Sequence, residues 1–155
     1  MGKAEFPLEV LLGHRRRQEE ARQLELSICQ RHLDEARNDL DRLVERREAF
    51  LLQLREEQTA RVLDLPAIDR SLAYIASLET AIAEREKTVA TLTTECEKAR
   101  EALIKASQSS KVVTKLKDAW AADWRREDLR QEDKALAEAA LAQFHRKQSA
   151  PGWVQ

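Results

Sequence analysis

The stretch "VLDLPAIDRSL", residues 62–72, decides the fold because it contains the one interior break in a chain otherwise suited to helix. Apart from Pro66, residues 14–150 contain neither proline nor glycine, the two residues that most often end or weaken helices. Pro66 is suited to the first turn of a helix, and Asp64 or Asp69 can accept hydrogen bonds from the free N–H groups of that turn. The break therefore predicts two long helices joined by a short turn.

These features predict a single coiled-coil domain that covers residues 1–155. We expect the first helix over about 6–63, the turn at about 64–67 and the second helix over about 67–147. The tail "QSAPGWVQ", residues 148–155, should be frayed because proline and glycine end the second helix.

Composition indicates an extended helical protein rather than a compact globule. Charged residues make up 35% of the chain and aromatic residues only 5%, which is typical of solvated long helices and coiled coils. The net charge of -1 gives no electrostatic reason to expect nucleic acid as a partner. No signal peptide and no apolar run of membrane-spanning length is visible. We therefore expect a cytoplasmic protein without direct membrane insertion.

A heptad pattern runs along both halves of the chain, with apolar residues alternately three and four positions apart. We call these residues the apolar seam. In the second helix the seam includes Ile75, Leu78, Ile82, Val89, Leu92, Cys96, Leu103, Val113, Trp120 and Trp124. In the first helix it includes Leu26, Cys29, Leu33, Ala36, Leu40, Leu43, Phe50 and Leu54. The pattern predicts an all-α fold, a long antiparallel two-helix coiled-coil hairpin.

In an antiparallel hairpin the residue number rises along one helix as it falls along the other, so the numbers of any two facing residues add up to the same sum. We take this sum as 132, which sets Leu54 on Leu78 and Phe50 on Ile82, and its half falls on Pro66, which independently marks the turn. In this alignment Arg47 faces Arg85, which sets two like charges against each other. Cys29 and Cys96 lie one heptad apart, roughly 10 Å, which is too far for a disulfide.

The same alignment assigns a role to the tryptophans. Trp120 faces Leu12 and Trp124 faces Leu8, so we expect the two rings to clamp the open end of the hairpin. Residues 125–147 then have no partner in the first helix, and we expect them to extend as an unpaired amphipathic helix.

No arrangement of residues points to catalysis. The chain has no glycine-rich phosphate loop, and His14, His32 and His145 are too scattered to form a metal site with one another. Its paired carboxylates lie on helix surfaces, whereas acid-base catalysis needs a pocket that shifts pKa values. We expect no enzyme activity, no catalytic or metal-binding residues and no cofactor.

Three segments carry a resemblance to a known family. They are "FPLEVLLGHRRRQEEARQLEL" at residues 6–26, "YIASLETAIAER" at 74–85 and "KALAEAALAQF" at 134–144. They resemble the opening, the start of the second helix and the closing motif of the FliJ family of flagellar export proteins. With the chain length and the two-helix layout, the resemblance covers nearly the whole sequence.

The resemblance implies a function in flagellar type III protein export, and so in the assembly of the organelle used in chemotaxis. FliJ-like proteins are coiled-coil stalks that enter the hexameric export ATPase and promote its assembly and activity. The resemblance also implies two further partners, a transmembrane export-gate protein and export chaperones. It places the protein at the export apparatus, peripherally associated with the inner membrane.

The resemblance also supplies candidate sites. The implied export-gate patch consists of Tyr74, Leu78, Ala81 and Arg85, which are spaced four, three and four along the helix. For contact with the ATPase or chaperones we expect residues from the start of the first helix and from the unpaired extension: Leu8, Leu12, Arg15, Arg16, Leu129, Leu136 and Phe144.

Other functions remain open at this point. The equivalent stalk of a virulence-type secretion system has the same architecture and differs only in its partners. A generic scaffold would pair the helices between two parallel chains. An RNA-binding helical arm is disfavoured because the sequence has no basic face and no catalytic domain.

Overall fold

The computed structural model describes residues 4–150 and contains two α-helices. Helix α1 is Glu9–Thr59 and helix α2 is Leu65–Ser149. No strand occurs within the described range. The chain is therefore all-α, and its two long helices pack against each other as an antiparallel hairpin, as the heptad pattern predicts. Of the tail expected to be frayed, residues 151–155 lie outside the described part of the chain, while 148 and 149 belong to α2.

Helix α1 begins later and ends earlier than the expected span of 6–63. Residues 7 and 8 form a turn in which the Glu9 N–H donates a hydrogen bond to the Phe6 carbonyl (3.1 Å). Proline has no N–H and fixes its own φ angle, which suits Pro7 to this turn before the helix. At the other end α1 stops at Thr59, and residues 60–64 form the connection to α2.

The start of α2 shows how the connection ends. Asp64 accepts a hydrogen bond from the Ala67 N–H through Oδ1 (3.2 Å), and the Ile68 N–H donates to the Asp64 carbonyl (3.1 Å). Asp64 is therefore the N-cap of α2, because its side chain satisfies an N–H group that has no partner within the helix. Pro66 is the second residue of α2, so it lies inside the helix and not at the centre of the turn.

The structure divides into two compact units, of which one comprises residues 16–107. In this unit α1 and α2 run antiparallel on either side of the 60–64 connection. The buried apolar side chains come from both helices and follow the apolar seam: Leu26, Leu33, Ala36, Leu54, Ile68, Ile75, Leu78, Ile82 and Cys96. Burial of the apolar surface of these side chains contributes about 25 cal/mol per Å² and is the main force that holds the two helices together.

The predicted alignment of the helices is wrong by one heptad. The Cys29 thiol lies 3.8 Å from the Leu92 carbonyl, one helical turn before Cys96, so Cys29 and Cys96 occupy the same layer and their residue numbers add up to 125. Asp39 forms an ion pair with Arg85, and their numbers add up to 124. The observed sum is thus about seven below the predicted 132. Its half falls at residue 62, in the middle of the 60–64 connection.

The error has a simple physical cause. A shift of seven residues moves each seam residue to the position of the next heptad, so an apolar seam still faces an apolar seam. The correction changes two expectations. The two cysteines occupy the same layer and are not one heptad apart. The predicted contact of like charges between Arg47 and Arg85 does not form, because Arg85 lies 3.8 Å from the carboxylate of Asp39.

The second unit comprises the described residues 4–15 and 108–150. Phe6, Leu12 and Val113 form a buried apolar cluster in it, and Trp120 packs against this cluster. Leu12 has no exposed surface at all. An ion pair between Glu9 and Lys117 (2.8 Å) links the start of α1 to α2.

Candidate functional site

The four residues of the implied export-gate patch differ in their exposure. Leu78 belongs to the core of its unit, with only 4% of its surface exposed. Tyr74 is half-buried, and its ring packs against Phe50 with 4.4 Å between the ring centroids. Ala81 and Arg85 are also half-buried. A partner can therefore touch the edges of Tyr74, Ala81 and Arg85, while Leu78 acts only through the packing beneath them.

Shallow grooves lie beside this patch. Tyr74 and Phe50 border one of about 330 Å³, and Arg85 lies in another of about 270 Å³. The second groove is also lined by Asp39, Leu43 and two arginines from α1, Arg42 and Arg46.

The second groove thus holds three guanidinium groups against one carboxylate. Sequence reasoning missed Arg42 and Arg46 because the predicted alignment placed Arg85 opposite Arg47. The correct alignment would have revealed them, since it brings Arg85 opposite the residues around 39–43.

The expected contact residues at the start of the chain also differ in their exposure to solvent. Leu12 is completely buried, which leaves it no exposed surface for the direct contact that the resemblance implies. Its neighbour Leu8 is 40% exposed, Arg15 is half-buried and Arg16 is exposed. Leu8 and Arg16 therefore have surface that a partner can reach, and Arg15 has less.

The two tryptophans have different environments. The ring of Trp120 packs on Phe6 with 5.7 Å between the centroids. Trp124 is 43% exposed. Trp120 thus packs on Phe6 and on the cluster that includes Leu12.

The C-terminal part of α2 is exposed along its whole described length. Every residue from 123 to 150 has an exposed side chain, and we call this segment the α2 extension. The exposed fractions of its large apolar side chains are 59% for Leu129, 69% for Leu136, 58% for Leu141 and 57% for Phe144. At 100° per residue these four side chains lie on one side of the helix. The sequence analysis included three of them and missed Leu141.

Charges in the α2 extension are balanced and locally paired. Arg126 lies 3.5 Å from Asp123, and Arg130 lies 3.8 Å from Glu127. Such exposed pairs, three residues apart on a helix, contribute only a few tenths of a kcal/mol, roughly 0.2–0.5. The distinctive feature of this surface is therefore its apolar side, and charge contributes little to it.

Within residues 4–150 no three histidine, cysteine, aspartate or glutamate side chains come together in a way that could hold a metal ion. In the same range neither helix has a stretch that is both long and apolar enough to span a bilayer.

Comparison with known proteins decides the family. The family model described as "Flagellar FliJ protein" matches residues 4–149, which is nearly the whole chain. The chain belongs to the FliJ family. The predicted family is thereby confirmed, and membership supports a role in flagellar and type III protein export. No curated protein matches the sequence.

A solved structure shares the fold of this FliJ family member. It is the protein CT670 of Chlamydia trachomatis, described as a YscO homologue. The TM-score is 0.53 at 22% sequence identity, and the match covers 94% of this chain and 99% of the other. At this identity the likeness shows a common fold only.

Proposed function

We propose that the chain is the coiled-coil stalk of the flagellar export apparatus, which inserts in the hexameric export ATPase and promotes its assembly and activity. The observation that carries the proposal is the α2 extension. Here a helix of a FliJ family member continues past its packing partner with one apolar side exposed over residues 123–150. The proposed site of action is the export apparatus, with peripheral association to the inner membrane.

The exposed apolar side is best explained by a binding partner. Leu129, Leu136 and Phe144 each expose more than half of their surface to water, which costs free energy unless a protein covers them. The hole of a ring-shaped ATPase is a concave surface that can surround such a helix on all sides. Leu8, just before α1, belongs to the same compact unit as the α2 extension and adds exposed surface for the same contact.

Truncation after Trp124 tests the proposal. It removes the exposed helix and leaves the cluster of Phe6, Leu12 and Val113 in place. We expect the truncated chain to remain folded by circular dichroism, but to lose its stimulation of ATP hydrolysis by the cognate export ATPase. Light scattering should show that hexamer formation is lost with it. Full stimulation by the truncated chain would exclude the α2 extension as the ATPase contact.

Point variants locate the contact more closely. Leu136→Ser and Phe144→Ser should each weaken stimulation, since they replace exposed apolar groups on the proposed contact side. Val62→Ser is the matched control, because Val62 is 84% exposed in the connection between the helices. Equal effects of all three variants would show that surface hydrophobicity in general is responsible.

We also propose that the patch around Tyr74 contacts the export-gate protein and that the α2 extension binds export chaperones. Tyr74→Ala and Arg85→Ala should weaken capture of the gate's cytoplasmic domain. Leu72→Ala, an exposed leucine two residues away, should leave capture unchanged. For the chaperones, an excess of the ATPase should displace them from the full chain if both use the same extension.

The corresponding stalk of a virulence secretion system is the second candidate. It is favoured by the fold that the chain shares with CT670, the YscO homologue. Parallel assays with a flagellar and a virulence-type export ATPase separate the two. Stimulation of the virulence enzyme alone would select the second candidate, and stimulation of neither by a folded chain would favour a scaffold role.

A further inference from the structure

The cysteines of the chain meet between the two helices, although the sequence alignment had separated them. Cys29 comes from α1 and Cys96 from α2, and the two residues occupy the same layer of the apolar seam. The Cys29 thiol also lies 3.8 Å from the carbonyl of Leu92, one helical turn before Cys96. Both cysteines are free thiols.

We propose that Cys29 and Cys96 form an oxidation site, at which a small disulfide or peroxide oxidant converts the two thiols into an intrachain disulfide that links α1 to α2. The proposal rests on the common layer of the two cysteines, which the 3.8 Å approach of the Cys29 thiol to the Leu92 carbonyl establishes within their own unit, and it does not depend on the function as an ATPase stalk.

A small oxidant can reach the pair. Cys29 is half-buried, and Cys96, although buried among its neighbours, lines an open groove of about 330 Å³. Two carboxylates and two guanidinium groups border this groove: Asp34, Glu97, Arg37 and Arg100. These charges balance, so neither an anionic nor a neutral oxidant is repelled. The only other charged group facing the thiols that affects Cys29 is Glu95 of α2, whose negative charge opposes the thiolate.

With a small disulfide as oxidant, the reaction has two steps. The Cys29 thiolate attacks one sulfur of the disulfide, which releases one small thiolate and leaves a mixed disulfide on Cys29. Cys96 then loses its proton and attacks the Cys29 sulfur, and the second small thiolate leaves. Two protein thiols have been oxidised to one disulfide, and the oxidant has been reduced to two small thiols.

The environment of Cys29 predicts that the first step is slow at neutral pH. The hydrogen bond with Cys96, and then burial, raise the pKa of Cys29 to about 11. About one Cys29 side chain in ten thousand is then a thiolate at pH 7, and only the thiolate attacks. The rate of oxidation should therefore rise about tenfold per pH unit between pH 7 and 10.

The test uses the full chain, reduced, desalted and incubated at low protein concentration with an excess of oxidised glutathione. We expect intact-mass spectrometry to show a monomer lighter by two hydrogen atoms, and peptide mapping to link Cys29 with Cys96. The linked chain should have a Tm higher by roughly 10 °C, since the disulfide closes a long loop.

Single-cysteine variants provide the control. Cys29→Ser and Cys96→Ser should each stop at the mixed disulfide with glutathione, provided that circular dichroism shows native helix content. Cys29→Ala and Cys96→Ala serve the same purpose if serine disturbs the seam. Two results would overturn the proposal: wild-type chains that remain monomers carrying glutathione, or chains linked to one another through intermolecular disulfides.

Discussion

Glu9, the first residue of α1, and Lys117 of α2 form an ion pair with 2.8 Å between Oε2 and Nζ. Both side chains are partly exposed, at 53% for Glu9 and 37% for Lys117. Exposed pairs of this kind contribute about 0.2–1 kcal/mol, because water screens the charges and ordering the side chains costs entropy. In a double-mutant cycle with Glu9→Gln and Lys117→Met we expect a coupling energy in this range, measured by urea unfolding.

Salt dependence separates this pair from a structural effect of the substitutions. The coupling energy should fall towards zero at about 1 M NaCl, where the Debye length is about 3 Å. A coupling energy that is independent of salt would show that the contact is not electrostatic.

The two tryptophans should differ in their effect on stability. Trp120→Ala removes the ring that packs on Phe6 and on the buried cluster, so we expect a loss of about 2–3 kcal/mol in the free energy of unfolding. Trp124→Ala should cost less than about 1 kcal/mol, because 43% of its surface is already exposed. Urea unfolding followed by circular dichroism measures both. Equal losses would contradict the packing described for Trp120.

Arg47 offers a substitution that should stabilise the chain. Its Nε atom is buried and has no hydrogen-bond partner, which is costly for a charged group. Arg47→Met keeps an unbranched side chain and removes the unpaired nitrogen, so we expect a gain of about 1 kcal/mol in the free energy of unfolding. Arg46→Met is the control, because Arg46 is exposed and should change stability by less than about 0.5 kcal/mol.

Cys29 should make stability depend on alkaline pH. Its pKa is raised from 9.0 to about 11 by the hydrogen bond with Cys96 and by burial, so the folded chain holds the thiol proton more tightly than the unfolded chain. Its contribution to stability is therefore complete below pH 9 and is lost as the pH rises through 11. Under reducing conditions, the wild type should lose stability relative to Cys29→Ser across this window. A constant difference between the two chains from pH 8 to 11 would show that the thiol has the same pKa in both states.

The fold class could be predicted from the sequence because it depends on periodicity and on the helix break, and both are local. Pro66 and Asp64 mark the start of α2 in the sequence as in the structure. The alignment of the helices could not be predicted in this way. It depends on contacts between distant residues, such as Phe50 with Tyr74 and Asp39 with Arg85, and a heptad pattern does not distinguish these from the pairs seven residues away.

The candidate sites show the same limit. The exposed positions Leu129, Leu136 and Phe144 could be chosen from an apolar stripe that has no partner. The burial of Leu12 and Leu78 agrees with the apolar seam, in which the heptad pattern places both residues, and it conflicts with the direct contacts that the family resemblance implies for them. The common layer of Cys29 and Cys96 was missed because the predicted alignment of the helices was wrong by one heptad.

The irregular residues of the seam have a consequence for evolution and design. A perfect seven-residue repeat has translational symmetry, so two leucine-lined helices could slide past each other by one repeat at almost no change in contact energy. The thiol pair of Cys29 and Cys96, and the ion pair of Asp39 and Arg85, break this symmetry. Replacing such residues with leucine would strengthen the helix contact and yet produce a mixture of slipped conformers, because the native state would no longer be separated from its neighbours by an energy gap.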